Sequence, residues 1–121
     1  MSEIILKLDF HVAEKTGAST RWYIIYNNKK WNIKEAEEAG LIKILHSTAS
    51  SQKTHWYKFI KVLNPNITLK RIRISNRGNL YVNTYTVDNI PDEYRPTDEE
   101  VEALKVIRWK KMIRDVKTAN S

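Results

Sequence analysis

The sequence predicts an α+β fold: an antiparallel sheet of about five strands, a short helix after the first hairpin, and a long C-terminal helix packed on one face. Three observations lead to this prediction. Apolar and polar residues alternate in several segments, turn-forming residues separate those segments, and the last segment has a helical repeat. Its 121 residues, 41% of them apolar, favour a single domain, 1–121, with a hydrophobic core.

Residues 3–13 predict the first strand, because their side chains alternate with a period of two. The apolar side of this strand holds Ile4, Leu6, Leu8, Phe10 and Val12, and the polar side holds Lys7, Asp9 and His11. The aromatic and β-branched segment 21–26 predicts the second strand, which Trp31 and Ile33 continue briefly after a turn.

A short helix is predicted between Asn32 and Gly40. Asn32 with Glu35 resembles a capping box, and Gly40 suits the position after the last helical turn. Residues 41–45 are a further possible strand, and residues 46–55 form the clearest loop, because they hold no apolar side chain larger than alanine. Segments 56–63, 67–75 and 79–87 then predict strands of one antiparallel meander.

The hairpin at Gly78 has a register that side-chain parity predicts. A three-residue loop over 76–78 places Ile72 opposite Val82 and Arg73 opposite Tyr81, so that each side of the hairpin is chemically uniform. Gly78 supplies the left-handed residue that such a loop needs. We therefore expect the isoleucine side to face the core and the arginine and tyrosine side to face solvent.

The terminal segment predicts a helix that begins at Thr97. Acidic residues fill its first turns and basic residues its later ones, an order that complements the helix dipole. Spacings of three and four link its apolar residues into a stripe that we expect to pack on the sheet, namely Val106, Trp109, Met112, Ile113 and Val116.

Charge is distributed unevenly along the chain, whose net charge is +7. Residues 1–40 balance six basic residues with six acidic ones, and residues 88–121 hold seven basic and eight acidic. Residues 41–87 hold eight Lys/Arg and no Asp/Glu, and we call them the acid-free segment. A segment of one sign attracts anionic partners, unless acidic residues of the terminal helix fold across it.

The polar side of the Gly78 hairpin is therefore predicted to bind nucleic acid. Guanidinium groups pair with phosphate oxygens, and tyrosine rings stack on unpaired bases. The predicted nucleic-acid-binding residues are Lys58, Lys61, Lys70, Arg71, Arg73, Arg77, Tyr81, Asn83 and Tyr85. Arg–Tyr pairs also stabilise exposed sheets without any ligand, so a structural role for these residues is the alternative.

Residues 56–82 resemble the nuclease-associated modular DNA-binding motif of phage and intron homing endonucleases. The matching residues are Trp56, Ile60, Ile74, Ser75, Asn76, Gly78 and Leu80. Ile72 stands where that motif usually has an aromatic residue, Asn79 where it usually has a basic one, and no nuclease half accompanies it. The resemblance implies contact with DNA and no cleavage.

No catalytic or metal-binding constellation is apparent in the sequence. Its three histidines lack the spacing of a metal-ligand set. Because the chain has no cysteine, thiolate chemistry is excluded. We expect no enzymatic activity, no metal and no cofactor. No apolar run approaches the length that spans a bilayer, so we expect a soluble, cytoplasmic protein, in the host cytoplasm if a phage encodes it.

These patterns favour a non-catalytic nucleic-acid-binding protein, with DNA the favoured ligand over RNA, of the kind that serves a phage or mobile element as an accessory protein. The alternative is a small inhibitor or modulator that docks on an acidic surface of a host protein, through the same face or by adding a strand at an exposed sheet edge. A structural or assembly protein is a third class. The sequence leaves the oligomeric state open.

Overall fold

The computed structural model describes residues 3–13, 15–48 and 54–107. Its strands are β1 (Ile5–Val12), β2 (Ser19–Tyr26), β3 (Lys29–Asn32), β4 (Ile42–Ser47), β5 (His55–Val62), β6 (Thr68–Ile74) and β7 (Leu80–Thr86). Helix α1 spans Ile33–Glu38, two 3₁₀ turns span Val87–Asn89 and Asp92–Tyr94, and residues 98–107 form the described part of a C-terminal helix, α2.

The sheet is antiparallel, as predicted, and its strand order is β4-β5-β1-β2-β6-β7, with β3 paired to β2. The described residues form seven strands where the sequence predicted about five. Helix α1 also follows the second hairpin, β2–β3, and not the first. Strands β3 and β4 are short, and their pairing with β2 and β5 is what makes them part of the sheet.

The predicted meander of the last three strands is wrong. Strand β5 pairs with β1 and β4, and β6 pairs with β2 and β7, so β1 and β2 lie between β5 and β6. Phe10 lies opposite Trp56 in the β1–β5 pair, and their stacked rings have centroids 5.8 Å apart. The order of these strands in the sheet therefore differs from their order along the chain.

The core includes the predicted apolar side of β1, of which Leu6 and Leu8 are completely buried. Helix α1 adds Ile33 and Ala36 to the same cluster. The predicted capping box of α1 is confirmed: the Asn32 side chain accepts a 2.8 Å hydrogen bond from the Glu35 N–H, and the Glu35 carboxylate accepts one from the Asn32 N–H.

Helix α2 begins as predicted. The Thr97 hydroxyl accepts a hydrogen bond from the Glu100 N–H at 3.2 Å, and the Glu100 carboxylate accepts one from the Thr97 N–H. Glu100 also pairs with Lys7 of β1 at 2.8 Å, and Leu104 is buried. Val106 is 50% exposed, and the rest of the predicted apolar stripe lies outside the described residues.

Candidate nucleic-acid interface

The register of the Gly78 hairpin is the one that the sequence predicted. Ile72 lies opposite Val82, and Arg73 lies opposite Tyr81. The Ser75 N–H donates to the Asn79 carbonyl at 2.9 Å, which closes a three-residue loop. Gly78 has φ = +84°, the left-handed conformation that this loop requires.

The predicted orientation of this hairpin is wrong. Strand β6 pairs with β2 so that Arg71 lies opposite the buried Trp22, and Ile72 lies opposite the exposed Arg21. Cross-strand partners point to the same side of a sheet. The arginine side of β6 therefore shares the buried side of β2, while Leu80 and Val82 of β7 are 63% and 45% exposed.

Arg71 is held within the protein by Asp9 of β1. Its Nε and Nη2 donate to the Asp9 carboxylate at 3.1 and 2.6 Å, and the Trp22 indole N–H donates to the same carboxylate at 2.9 Å. Burial opposes ionisation of Asp9, but these hydrogen bonds outweigh it and leave its pKa below the ordinary value. Hydrogen bonding to Asp9 in turn raises the pKa of Arg71.

Tyr85 also belongs to this half-buried cluster. Its ring lies 6.1 Å from that of Trp22 and 5.8 Å from that of Tyr94, and Tyr94 packs edge-on against Trp22. Burial raises the pKa of Tyr94 well above its ordinary value. Tyr85 and Arg71 thus join β6 and β7 to the segment that follows them, and the sequence could not place Asp9 or Tyr94 beside them.

The free end of the hairpin keeps the predicted basic and aromatic character. The Arg73 guanidinium lies 4.4 Å from the Tyr81 ring centroid, and Arg77 occupies the loop. Arg73, Arg77, Tyr81 and Asn83 are all exposed. Lys61, by contrast, is paired with Glu3 at 3.0 Å.

We define the outer face as the side of strands β3, β2, β6 and β7 that is opposite Trp22. These strands contain no acidic residue. Cross-strand partners place on this face the cations Arg21, Lys30 and Lys70, together with Tyr23, whose ring lies 4.6 Å from the Lys30 ammonium. The apolar residues of the hairpin lie beside them, namely Ile72, Ile74, Leu80 and Val82.

A cleft of about 330 Å³ adjoins the outer face, since Arg21 and Tyr23 line it as well. Its aromatic wall includes Trp56 stacked on Phe10, and the Lys58 ammonium lies 5.7 Å from the Phe10 ring. Lys34 supplies a further cation. Every described residue that lines this cleft is neutral or basic, so the cleft can accept an aromatic group that carries negative charge.

Sequence reasoning missed the residues that the β2–β3 hairpin and the start of α1 contribute: Arg21, Tyr23, Lys30 and Lys34. Their signal was present, because residues 15–34 contain five basic residues and no acidic one. Averaging charge over residues 1–40 hid it, since the six acids of that segment lie before and after this stretch. Pairing of β2 with β6 joins this stretch to the acid-free segment.

Two carboxylates in the described part of α2 pair with cations outside the acid-free segment. Glu100 pairs with Lys7, and Glu102 pairs with Lys105 at 3.1 Å. Burial acts against the Glu100 carboxylate, but hydrogen bonds from Lys7 and Thr97 leave its pKa below the ordinary value. Partial neutralisation of the acid-free segment comes instead from Asp9 and Glu3 near the N-terminus.

Histidines do not form a metal centre in the part of the chain that the structure describes, where no cluster of three His, Asp, Glu or Cys residues could hold an ion. His11 and His55 lie opposite each other on β1 and β5, with ring centroids 6.0 Å apart.

Across residues 3–13, 15–48 and 54–107, no helix is long and apolar enough to cross a membrane. Residues 49–53 of the predicted loop 46–55 lie outside the described residues, and its ends belong to strands, since β4 runs to Ser47 and β5 begins at His55.

Comparisons of the chain with protein-family models, with curated proteins and with solved structures returned no match. The resemblance to the modular DNA-binding motif therefore remains a prediction.

Proposed function

We propose that this protein binds nucleic acid without cleaving it, with DNA the first ligand to test, and that it takes a flexible single strand across the outer face and into the adjoining cleft. The observation that carries the proposal is the continuous acid-free surface formed by β3, β2, β6 and β7 together with the cations of the cleft. Such a surface concentrates a polyanion along one path.

Phosphate contacts in this proposal come from cations of the outer face and of the cleft. Arg21 and Lys70 stand on the outer face, and Lys58 stands on β5. None of these cations has an ion pair among the described residues, so their charges are available to phosphate. Arg71 and Lys61, which the sequence also predicted, already hold carboxylates, and the proposal does not rest on them.

Base contacts come from the aromatic residues. Trp56 is partly exposed and lines the cleft, where an unpaired base can stack on its indole. Tyr23 borders the same cleft. Tyr81 and Asn83, which the sequence also predicted, share the Trp22 side of the sheet with Arg73 and so lie opposite the outer face; the proposal does not rest on them.

Fluorescence anisotropy with labelled single-stranded DNA, duplex DNA and RNA tests this proposal. We expect single strands to bind most tightly and the logarithm of affinity to fall linearly with the logarithm of salt concentration. Replacing Arg21, Lys58 and Lys70 with alanine should flatten that slope by about 0.7 for each phosphate that the variant no longer neutralises. Lys15→Ala, an exposed cation in the β1–β2 turn, is the matched control and should change little.

Trp56→Ala tests the cleft separately from charge. Loss of one stacked base costs about 1–3 kcal/mol, so affinity should fall roughly 5-fold or more while the salt slope stays constant. The folded state of the variant is checked by its thermal unfolding transition. Equal binding of the parent protein, the triple variant and Trp56→Ala to every nucleic acid would contradict the proposed interface.

A protein-binding module is the second candidate, and the exposed apolar residues Leu80 and Val82 favour it. A protein partner bound there would bury these side chains and respond weakly to salt. Its binding should be lost on Val82→Asn, which removes the apolar contact without adding charge to the outer face, and retained when Lys58 becomes alanine. The opposite pattern is expected for nucleic acid, so the two variants separate the candidates.

A further inference from the structure

Strand β7 is an open edge of the sheet that the described residues form. It ends the strand order, and every residue from Leu80 to Thr84 is exposed. Its seven residues include no charged side chain and no proline, and its pairing with β6 runs without a register shift. Natural proteins usually block such an edge with charge, proline or a bulge, because its free backbone groups can pair with another strand.

The opposite edge of the same sheet is blocked. Strand β4 carries Lys43 and a register shift between Ile44 and His46. The Ile44 N–H donates to the Glu37 carboxylate of α1 at 2.6 Å, so that one edge group is already satisfied. Strand β3 has only four residues, two of them lysines. Strand β7 therefore differs from β3 and β4 in having, among the described residues, no charged residue, register shift or side-chain contact that blocks its edge.

The backbone groups that β7 presents can be assigned from the hairpin. The Ser75 N–H donates a ladder hydrogen bond to the Asn79 carbonyl, and bonded pairs alternate along an antiparallel ribbon. Tyr81, Asn83 and Tyr85 accordingly bond inward to β6. Leu80, Val82, Thr84 and Thr86 direct their N–H and C=O groups away from the sheet.

We propose that two copies of this chain pair antiparallel through β7, with Asn83 opposite Asn83 of the second copy. This register overlaps the whole strand, and it sets Val82 opposite Thr84, whose outward backbone groups then bond to each other. The side chains are symmetric about the same axis: Tyr81 meets Tyr85, and Asn83 meets itself. Aromatic and β-branched cross-strand pairs stabilise such an interface.

The absence of charge on β7 suits a second copy of this chain as the occupant. Two like strands meet without repulsion, although the protein carries +7 overall. Pairing also covers Leu80 and Val82, which are exposed in one copy. Because the interface is isologous and β4 is blocked, assembly stops at two copies.

A single cysteine tests the register, because the chain has none of its own. Asn83 would lie at a non-hydrogen-bonded pair, where strands approach closely enough for a disulfide between copies. We expect Asn83→Cys to oxidise almost completely to a covalent dimer at twice 14.3 kDa. Tyr81→Cys is the matched control: its thiol would face Tyr85 of the second copy, so crosslinking should be many-fold less. Equal crosslinking of both variants would overturn the register.

Opposite charges at the axis give a second test without covalent chemistry. Asn83→Lys and Asn83→Asp should each be monomeric by light scattering, because like charges then face each other, and mixing the two variants should restore the dimer mass. Thermal unfolding of each variant alone confirms that it is folded. The proposal is overturned if the parent protein shows the 14.3 kDa monomer mass at every concentration, or if mixing the variants restores nothing. These outcomes do not depend on nucleic acid.

Discussion

The Asp9–Arg71 pair offers the sharpest test of how this fold holds together. We consider Asp9→Ala, Arg71→Ala and the double variant. Asp9 accepts two hydrogen bonds from Arg71 and one from the Trp22 indole, and the two charged side chains are 21% and 15% exposed. The degree of burial of this pair is therefore intermediate between that of a surface ion pair and that of a fully buried one.

The expected loss of folding stability follows from this intermediate burial. Removing one partner of a fully buried pair costs about 3–5 kcal/mol, and an exposed pair contributes about 0–1 kcal/mol. By interpolation we expect Asp9→Ala to cost about 3 kcal/mol, because it also leaves the Trp22 N–H without its acceptor. Arg71→Ala should cost about 2 kcal/mol. The double variant should be more stable than the sum of the two losses predicts, with a coupling of about 1.5 kcal/mol.

Urea unfolding of the four proteins, followed by tryptophan fluorescence and by circular dichroism, measures this coupling. Glu102 and Lys105 form the matched control pair, since they are 71% and 62% exposed at 3.1 Å, and the same cycle there should give no measurable coupling. If the Asp9–Arg71 coupling were as small as the control, the carboxylate would not be what holds Arg71 to the core side. Arg71 would then count again among the candidate nucleic-acid-binding residues.

Three further outcomes are expected. The folded-state pKa of Asp9 lies below its ordinary value of 3.8, so its ionised form stabilises the protein above that pH. This stability is lost as pH falls through the lower folded-state pKa. In acid unfolding, the stability of Asp9→Asn should therefore not show this pH-dependent loss. Gly78→Ala should destabilise the protein by about 1 kcal/mol in urea unfolding, because φ is +84° although a methyl group would meet no atom within 4 Å; an unchanged midpoint would contradict this. Asn32→Ala should cost about 1 kcal/mol by loss of the α1 cap, with Asn32→Asp as the conservative control that retains most of it.

Local patterns predicted the elements well where neighbouring residues alone decide the structure. The register of the Gly78 hairpin follows from a short loop and a left-handed glycine, both encoded within a few residues. The caps at Asn32 and Thr97 likewise involve side chains three residues apart. These predictions are confirmed because the interacting groups are close in sequence.

Long-range pairing was beyond the same reasoning. The register of β6 against β2 decides whether Ile72 or Arg71 lies on the same side of the sheet as the buried Trp22. The alternating sequence of the hairpin is consistent with either register. The usual rule that apolar residues face inward failed here because Asp9 offers Arg71 a carboxylate on the side of the sheet where Trp22 is buried, and the Trp22 indole shares that carboxylate. A buried charge that has a partner can replace an apolar contact.

The basic surface shows the same division. Charge counting correctly found that residues 41–87 lack carboxylates, and this is a property of composition alone. It could not show that the β2–β3 hairpin extends that surface, that Asp9 and Glu3 neutralise two of its cations, or that Trp56 opens into a cleft.

Periodicity, turn chemistry and composition thus predicted most of the strands, the starts of both helices, how the last hairpin turns, and where acidic residues are absent. Packing alone decided which side of the last hairpin is buried, which cations keep their charge available, and which edge stays open. The physical reason is that secondary structure depends on neighbours in sequence, whereas burial and ion pairing depend on residues as far apart as Asp9 and Arg71.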